Sequence, residues 1–306
     1  MRLFNIPAGE VHELRFAPDG RSIYLLSWEV WEPGRGFSAL GDMFLYQHAY
    51  RADIRSGEVT GAWPFRGSEV ATFAPDLCSV YYSVSVAVSG GELDVRRTDL
   101  ATGQSTIVYQ ANVPYPSRFA FTPNGHILSV AGMHYSGDGR ECVHRLDVWH
   151  RKELEPIPDP TLCLAYSPNG RLLATGGRES VCVWEGRKPV ARWPGAARHL
   201  AWVSDERFVW VGNGALSVAY PGDPEVRTWA VSRGFPSALA VSGCGRFLAT
   251  GSERGCCSLH DLATTSVRET FDWGIGSIHS VAFAPDGLTC AAGGENGQVV
   301  VWDVDG

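Results

Sequence analysis

Apolar residues along this chain come in short alternating runs of strand length, and one recurring phrase joins the runs in pairs. An apolar alternation leads into Phe/Tyr-x-Pro-Asp/Asn-Gly, and a second apolar run follows. The phrase reads Phe16-Ala17-Pro18-Asp19-Gly20, Phe121-Thr122-Pro123-Asn124-Gly125, Tyr166-Ser167-Pro168-Asn169-Gly170 and Phe283-Ala284-Pro285-Asp286-Gly287. A weaker copy is Phe73-Ala74-Pro75-Asp76-Leu77. Two degenerate copies, Trp202-Val203-Ser204-Asp205-Glu206 and Val241-Ser242-Gly243-Cys244-Gly245, keep only the position and its flanks. Proline presets φ, Asp or Asn offers a side-chain acceptor, and glycine takes the positive φ of a tight turn. Each phrase therefore predicts a hairpin between two strands.

The first residues of successive phrases are 57, 48, 45, 36, 39 and 42 residues apart, a mean near 44. A second landmark follows each phrase, at the end of a third strand: Ala52-Asp53, Thr98-Asp99, Leu146-Asp147, Trp184-Glu185, Ala219-Tyr220, His260-Asp261 and Trp302-Asp303. On these residues the chain resembles the WD40 repeat family, whose four-stranded unit of about 40–45 residues ends its third strand in Trp-Asp. The best copy runs from Val281 to Asp303, and the next best contains Leu172–Gly177 and Val181–Glu185. The resemblance implies an all-β, seven-bladed WD40-like β-propeller.

The chain also departs from the family pattern. Its one Gly-His, Gly125-His126, lies in the wrong turn. The second-to-third-strand turns read Gly177-Arg178-Glu179-Ser180, Ser252-Glu253-Arg254-Gly255 and Gly294-Glu295-Asn296-Gly297, so the buried Asp-His-Ser/Thr-Trp network of the family is expected to be incomplete in most blades.

Spacing also predicts how the first and last blades meet. From each third-strand landmark to the next phrase there are 18–23 residues, enough for a fourth strand and the next first strand. Only four residues follow Trp302, yet the count from Trp302 round through the N-terminus to Phe16 is 20. Residues 1–8 are therefore expected to form the outer strand of blade 7, around Arg2-Leu3-Phe4-Asn5-Ile6, and 1–306 to form a single domain without linkers.

Composition agrees. Glycine and proline (35 and 18 of 306 residues) make up about 17%, above the usual ~12%, which suits a chain of turns. The net charge of −7 argues against a nucleic-acid binder, which needs a basic face. No apolar run reaches the ~18–20 residues of a membrane span, and proline and glutamate interrupt the first ten residues where a signal peptide would need an apolar core. A soluble, cytoplasmic protein that is monomeric by itself is expected, with no membrane contact. Of the 26 basic residues only Lys152 and Lys188 are lysines, so an amine nucleophile could only be one of those two. The eight cysteines form no Cys-x-x-Cys pair and read as reduced core thiols. Cys256-Cys257, adjacent on a strand, point to opposite faces.

No catalytic signature appears: no Gly-x-Ser-x-Gly, His-Glu-x-x-His, Walker loop or Gly-x-Gly-x-x-Gly after a strand. The nine histidines show no metal-ligand spacing; His134 with Asp138 reads as a turn, and His150 and His260 as structural groups at third-strand ends. Asp53, Asp99, Asp147, Asp261 and Asp303 occupy the repeat's Asp position and read as structural. No catalytic residue, cofactor or metal is assigned. A small-molecule-binding or hydrolytic propeller, with a metal or carboxylate site in the central channel, stays open as the alternative.

The resemblance implies a non-catalytic protein–protein interaction module, a scaffold that takes a peptide or partner domain on the channel-mouth face. On that face lie the fourth-to-first connections and the second-to-third loops. The first repeat step exceeds the mean by about 13 residues, and the excess falls at 29–43, an inserted loop carrying Trp31, Arg35 and Phe37. Either it folds over the propeller or it offers aromatic anchors to a partner. Tyr115, Tyr135, Arg178, Arg233, Phe235 and Trp273 complete the candidate surface, with Phe235 and Trp273 alternatively wedged between blades. A free-standing subunit of a larger machine is the third possibility.

Overall fold

The structure, a computed structural model, describes residues 1–7, 9–28, 45–67, 70–86, 92–111, 115–133, 141–231 and 235–305. Among them the chain is all-β: seven four-stranded antiparallel sheets, the blades of a seven-bladed β-propeller. The residues divide into two compact units. The expected insert at 29–43 lies outside the described residues.

The first unit comprises Met1–Val30, His48–Trp63 and Ala196–Gly306. It holds most of the sheet β2 (Val11–Phe16), β3 (Ser22–Trp28), β4 (Leu45–Asp53) and β5 (Val59–Gly67). Two further sheets follow in chain order: β18 (His199–Ser204), β19 (Arg207–Gly212), β20 (Ala215–Ala219) and β21 (Val226–Ala230); then β22 (Pro236–Val241), β23 (Phe247–Ser252), β24 (Cys256–Asp261) and β25 (Ser266–Asp272). The last sheet joins both ends of the chain. Its strands β26 (Ile278–Phe283), β27 (Thr289–Gly294) and β28 (Gln298–Asp303) are completed by β1 (Arg2–Asn5), in the order β1-β28-β27-β26. Arg2 pairs with Val301 and Asn5 with Gln298, so the N-terminal strand closes the last blade as the residue spacing predicts.

The second unit, Trp31–Gln47 and Pro64–Gly195, holds three sheets in chain order. They are β6 (Ala71–Phe73), β7 (Ser79–Val86), β8 (Glu92–Asp99) and β9 (Ser105–Ala111); β10 (Tyr115–Phe121), β11 (Ile127–Met133), β12 (Glu141–Asp147) and β13 (Lys152–Ile157); and β14 (Cys163–Tyr166), β15 (Leu172–Gly176), β16 (Ser180–Glu185) and β17 (Lys188–Pro194).

Within each unit the core lies in layers between neighbouring sheets. Phe16, Leu25 and Tyr50 meet Val299 and Val301 in one layer, with Ile6 from the closing segment. Phe247, Leu259, Ile278 and Trp302 form another. In the second unit Leu128, Val130 and Leu146 pack with Tyr81 and Val95, and on the other side Val143 and Ile157 meet Leu173 and Trp184.

The recurring turns have one chemistry. Asp19, Asp76, Asn124, Asn169 and Asp286 each accept, through Oδ1, the backbone N–H two residues on, at 2.8–3.1 Å. The following residue has positive φ, at Gly20, Gly125, Gly170 and Gly287. In the weaker copy Leu77 occupies that position at φ 57° and is held there by its buried side chain. Burying a leucine is worth about 1.5–3 kcal/mol, against roughly 1–2 for a left-handed residue, so the apolar contact wins.

Position-equivalent residues also show how the family's buried network is rebuilt. The third-strand landmark of β16, Trp184, donates its indole N–H to Thr175 Oγ1 at 2.9 Å, and Thr175 donates to Asp159 Oδ2 at 2.5 Å. Asp159 precedes the first strand of this blade and has its carboxyl pushed up by burial, which outweighs its hydroxyl partners. In β24 the landmark is His260, which meets Thr250 Oγ1 at 3.1 Å and accepts from Trp229 at 3.4 Å. In β28 the partner position is Ala292, and the buried indole N–H of Trp302 has no acceptor among the described residues. In β20 the sizes are exchanged, with Ala219 on the third strand and Trp210 on the second, both buried. One network and several substitutes thus serve the same place.

Deleting residues 1–7 removes the β1 ladder and the burial of Ile6, roughly 2–3 kcal/mol, and is expected to lower the thermal midpoint by about 5 °C or more. A midpoint unchanged in calorimetry would contradict the closure. Thr175→Val leaves Trp184 Nε1 and Asp159 short of a partner and is expected to cost about 2 kcal/mol in denaturant unfolding.

Candidate functional site

In a four-stranded antiparallel sheet the second-to-third turn lies at the same end as the connections that enter the first strand and leave the fourth. Among the expected interface residues, Arg178, Phe235 and Trp273 have described side chains at such ends. Arg178 is exposed in the turn between β15 and β16. Phe235, just before β22, is 58% exposed, and its carbonyl accepts the Glu253 N–H at 3.2 Å, which ties it to the Glu253–Arg254 turn of its own sheet. Ser277 Oγ in turn donates to the Glu253 carbonyl at 2.9 Å, and Glu295 N–H to the Ser277 carbonyl at 2.9 Å. Two neighbouring blade ends are thereby joined into one polar edge carrying an exposed phenyl ring.

Trp273, just after β25, is half-buried. It stacks on Phe271 with centroids 5.1 Å apart at 9°, and meets Trp302 at 4.7 Å. One part of the ring is thus a wedge in a core layer, while Phe235 projects into solvent. Tyr115 opens β10, with its side chain outside the described set; Trp31, Arg35, Phe37, Tyr135 and Arg233 lie wholly outside the described residues.

Three features escaped sequence reasoning. Glu10, His12 and His279 converge where β2 and β26 begin: Glu10 Oε2 is 3.3 Å from His12 Nε2 and 4.0 Å from His279 Nε2. The His12 ring lies 3.7 Å from Trp28 and 5.6 Å from His279. The histidines are distant in sequence, and only the pairing of first strands across a core layer brings them together. At the opposite blade ends a cleft of about 330 Å³ is lined by Arg2, Asp19, Arg21, Arg55 and Asp303. The N-terminal closure that places Arg2 there was the available signal. Finally, Trp149, in the turn after β12, is 71% exposed and meets His126 at 4.7 Å. Among the described residues, no group of three or more His, Cys, Asp or Glu is arranged to hold a metal ion.

The carboxylates at third-strand ends are turn caps. Asp53 Oδ1 accepts the N–H groups of Arg55 and Ser56, Asp99 those of Ala101 and Thr102, Asp147 those of Trp149 and His150. Backbone hydrogen bonds, with the side chains of Ser56, Thr102 and His150, hold these three carboxyls below their ordinary value. Six of the eight cysteines are buried, whereas Cys78 and Cys244 lie exposed in hairpin turns. The reading of all eight as core thiols is corrected at these two, because their turns sit outside the apolar layers.

The blades define a β-propeller. The family described as WD domain, G-beta repeat matches residues 155–185 and 270–303. A guanine nucleotide-binding protein subunit beta of Arabidopsis thaliana is 25% identical over 252 residues, 70% of this chain and 65% of the relative. The WD repeat-containing protein SL1-17 of Schistosoma mansoni is 33% identical over 93 residues, 30% of this chain and 28% of the relative. The chain thus spans less than two thirds of the length of either. Together with the seven four-stranded sheets, these matches support the WD40-repeat family for this chain.

A carboxyl held below its ordinary value stabilises the fold above that value, and the contribution is lost as acid protonates it. Asp→Asn changes at 53, 99 and 147 are expected to lower the thermal midpoint at pH 7, with the gap to the parent closing as acid takes the pH well below the ordinary Asp value. A gap that is constant with pH would mean the charge contributes nothing.

Proposed function

We propose that this protein is a non-catalytic interaction scaffold that takes a peptide or partner domain on the blade ends of the first unit that carry Phe235 and Trp273, with Arg178 a separate candidate contact on the second unit. The observation that carries this reading is Phe235: a large apolar ring more than half exposed, whose own carbonyl accepts the Glu253 N–H and so ties it to the Glu253–Arg254 turn. Aromatic and arginine side chains on a rigid frame are the usual anchors of protein interfaces. The relatives point the same way, since one is named as a subunit of a guanine nucleotide-binding protein. The segment with Trp31, Arg35 and Phe37 supplies further candidate partner contacts, as do Tyr115, Tyr135 and Arg233.

The Glu10–His12–His279 cluster favours a second reading, a small-molecule site at the start of the first strands. A carboxylate between two imidazoles, with the Trp28 ring beside them, offers hydrogen bonding and a stacking plane.

Affinity capture from the native organism separates these readings. Truncating an interface anchor costs 2 kcal/mol or more, so Phe235→Ala and Arg178→Glu are expected to weaken partner binding about 30-fold, while Trp149→Ala at the opposite blade ends leaves it unchanged. Trp31→Ala and Phe37→Ala extend the test to the 29–43 segment. Equal recovery with all variants would reject the proposed surface. A ligand whose thermal stabilisation disappears in His12→Ala and survives in Phe235→Ala would favour the second reading.

A further inference from the structure

Cys142 and His144 stand two residues apart on β12, so their side chains leave the same face of the sheet. The Cys142 Sγ atom is 3.1 Å from His144 Nε2, and His144 Nδ1 is 2.8 Å from Glu153 Oε1. Glu153 lies on β13 opposite Leu146, diagonal to His144 on that face. Its other carboxylate oxygen accepts the hydroxyl of Tyr109, on β9 of the neighbouring sheet. Burial and the Glu153 carboxylate both push the Tyr109 hydroxyl up, so it stays protonated and keeps donating. Cys142 is 8% and His144 4% exposed, whereas Glu153 reaches solvent.

The order of these contacts has a chemical meaning. A carboxylate at Nδ1 accepts the N–H there and turns the Nε2 lone pair toward the thiol. Transfer of the thiol proton to Nε2 leaves a thiolate beside an imidazolium, and Glu153 stabilises that cation. Elsewhere in the structure burial pushes the Cys163 thiol up to about 12 and raises those of Cys182, Cys257 and Cys290. The repeat itself does not demand the arrangement. The equivalent positions hold Ser180, Cys182 and Pro189 in one blade, and Cys256, Ser258 and Val267 in another.

We propose that Cys142 is a reactive thiol, a modification site for small hydroperoxides, with His144 as its base and Glu153 as the residue that positions the imidazole. The Cys142 thiolate attacks one peroxide oxygen, an S–O bond forms, and the O–O bond breaks. Sulfur loses two electrons and the peroxide gains them. The Nε2 proton of the His144 imidazolium passes to the departing hydroxide or alkoxide, which leaves as water or alcohol. The product is the sulfenic acid of Cys142 and a neutral imidazole. The proposal is independent of the interaction surface above, which lies on other residues.

The test treats the whole protein with limiting hydrogen peroxide at pH 7 in the presence of dimedone, and reads the label at each cysteine by peptide mass spectrometry. An ordinary thiol is only a few per cent ionised at that pH, so Cys142 is expected to be labelled about tenfold faster than exposed Cys78. Cys244 is the stricter comparator, because Ser242 and nearby backbone N–H groups lower its thiol while leaving it exposed. Glu153→Gln and Tyr109→Phe are expected to slow Cys142 about fivefold or more while leaving Cys78 and Cys244 at their parental rates. The buried Cys163 and Cys290, which unfolding would expose to the label, report whether each variant is folded, and His144→Asn is read in the same way. Labelling of Cys142 no faster than that of Cys78 and Cys244, or a Cys142 rate untouched by Glu153→Gln, would overturn the proposal.

Discussion

A small sheet with apolar side chains on both faces must be covered on both, and a blade of four strands cannot do this alone. Packing of sheet on sheet is therefore the constraint that the other features serve. Ile23, Leu25, Val299 and Val301 are buried only because neighbouring sheets face each other across their layer. Small residues follow from the same demand. At Gly212 and Gly294 a Cβ would overlap a backbone carbonyl of the preceding connection, at Ala196 and Ile275. Turn chemistry fixes where each chain reversal falls, and the layers decide which side chain faces inward.

The repeat makes one position chemically tolerant. What matters at the third-strand landmark and its second-strand neighbour is the filled volume and the pairing of any polar atom. Thr175 with Trp184, Thr250 with His260, and Trp210 with Ala219 are three solutions. Ala292 with Trp302 is a fourth, in which the place is filled and the indole N–H is left without an acceptor among the described residues. Because the frame accepts such changes, a blade can carry chemistry that its siblings lack, as with Cys142, His144 and Glu153 on β12 and β13.

Most of the architecture was legible in the sequence because turns and strand ends are local signals. Pro-Asp-Gly at 285–287 announces its hairpin without help from any distant residue, and simple counting from Trp302 to Phe16 placed β1 beside β28. The sites were far less legible. His12 and His279 are remote in sequence and meet across a core layer, so no spacing rule finds them. Cys142-Val143-His144 sets a thiol and an imidazole on one strand face, yet its meaning depends on Glu153 across the hairpin and Tyr109 in another blade. For Trp273, whether the ring stacks inward or reaches out depends on Phe271 and Trp302, which its own local pattern does not reveal.

The ladder between β1 and β28 has a consequence for biosynthesis. A ribosome makes Arg2 almost three hundred residues before its partner Val301. At 5–20 residues per second the N-terminal strand waits roughly 15–60 s for its partner. During that time Phe4 and Ile6 lack their layer, and β1 presents an unpaired edge to other nascent chains. Arg2 and Asn5 at the two ends of the strand, with Pro7 beyond, supply polar and donor-lacking residues that make such an edge a poor template for stray pairing. The last blade is thus the step at which synthesis, rather than the finished fold, is most exposed to error.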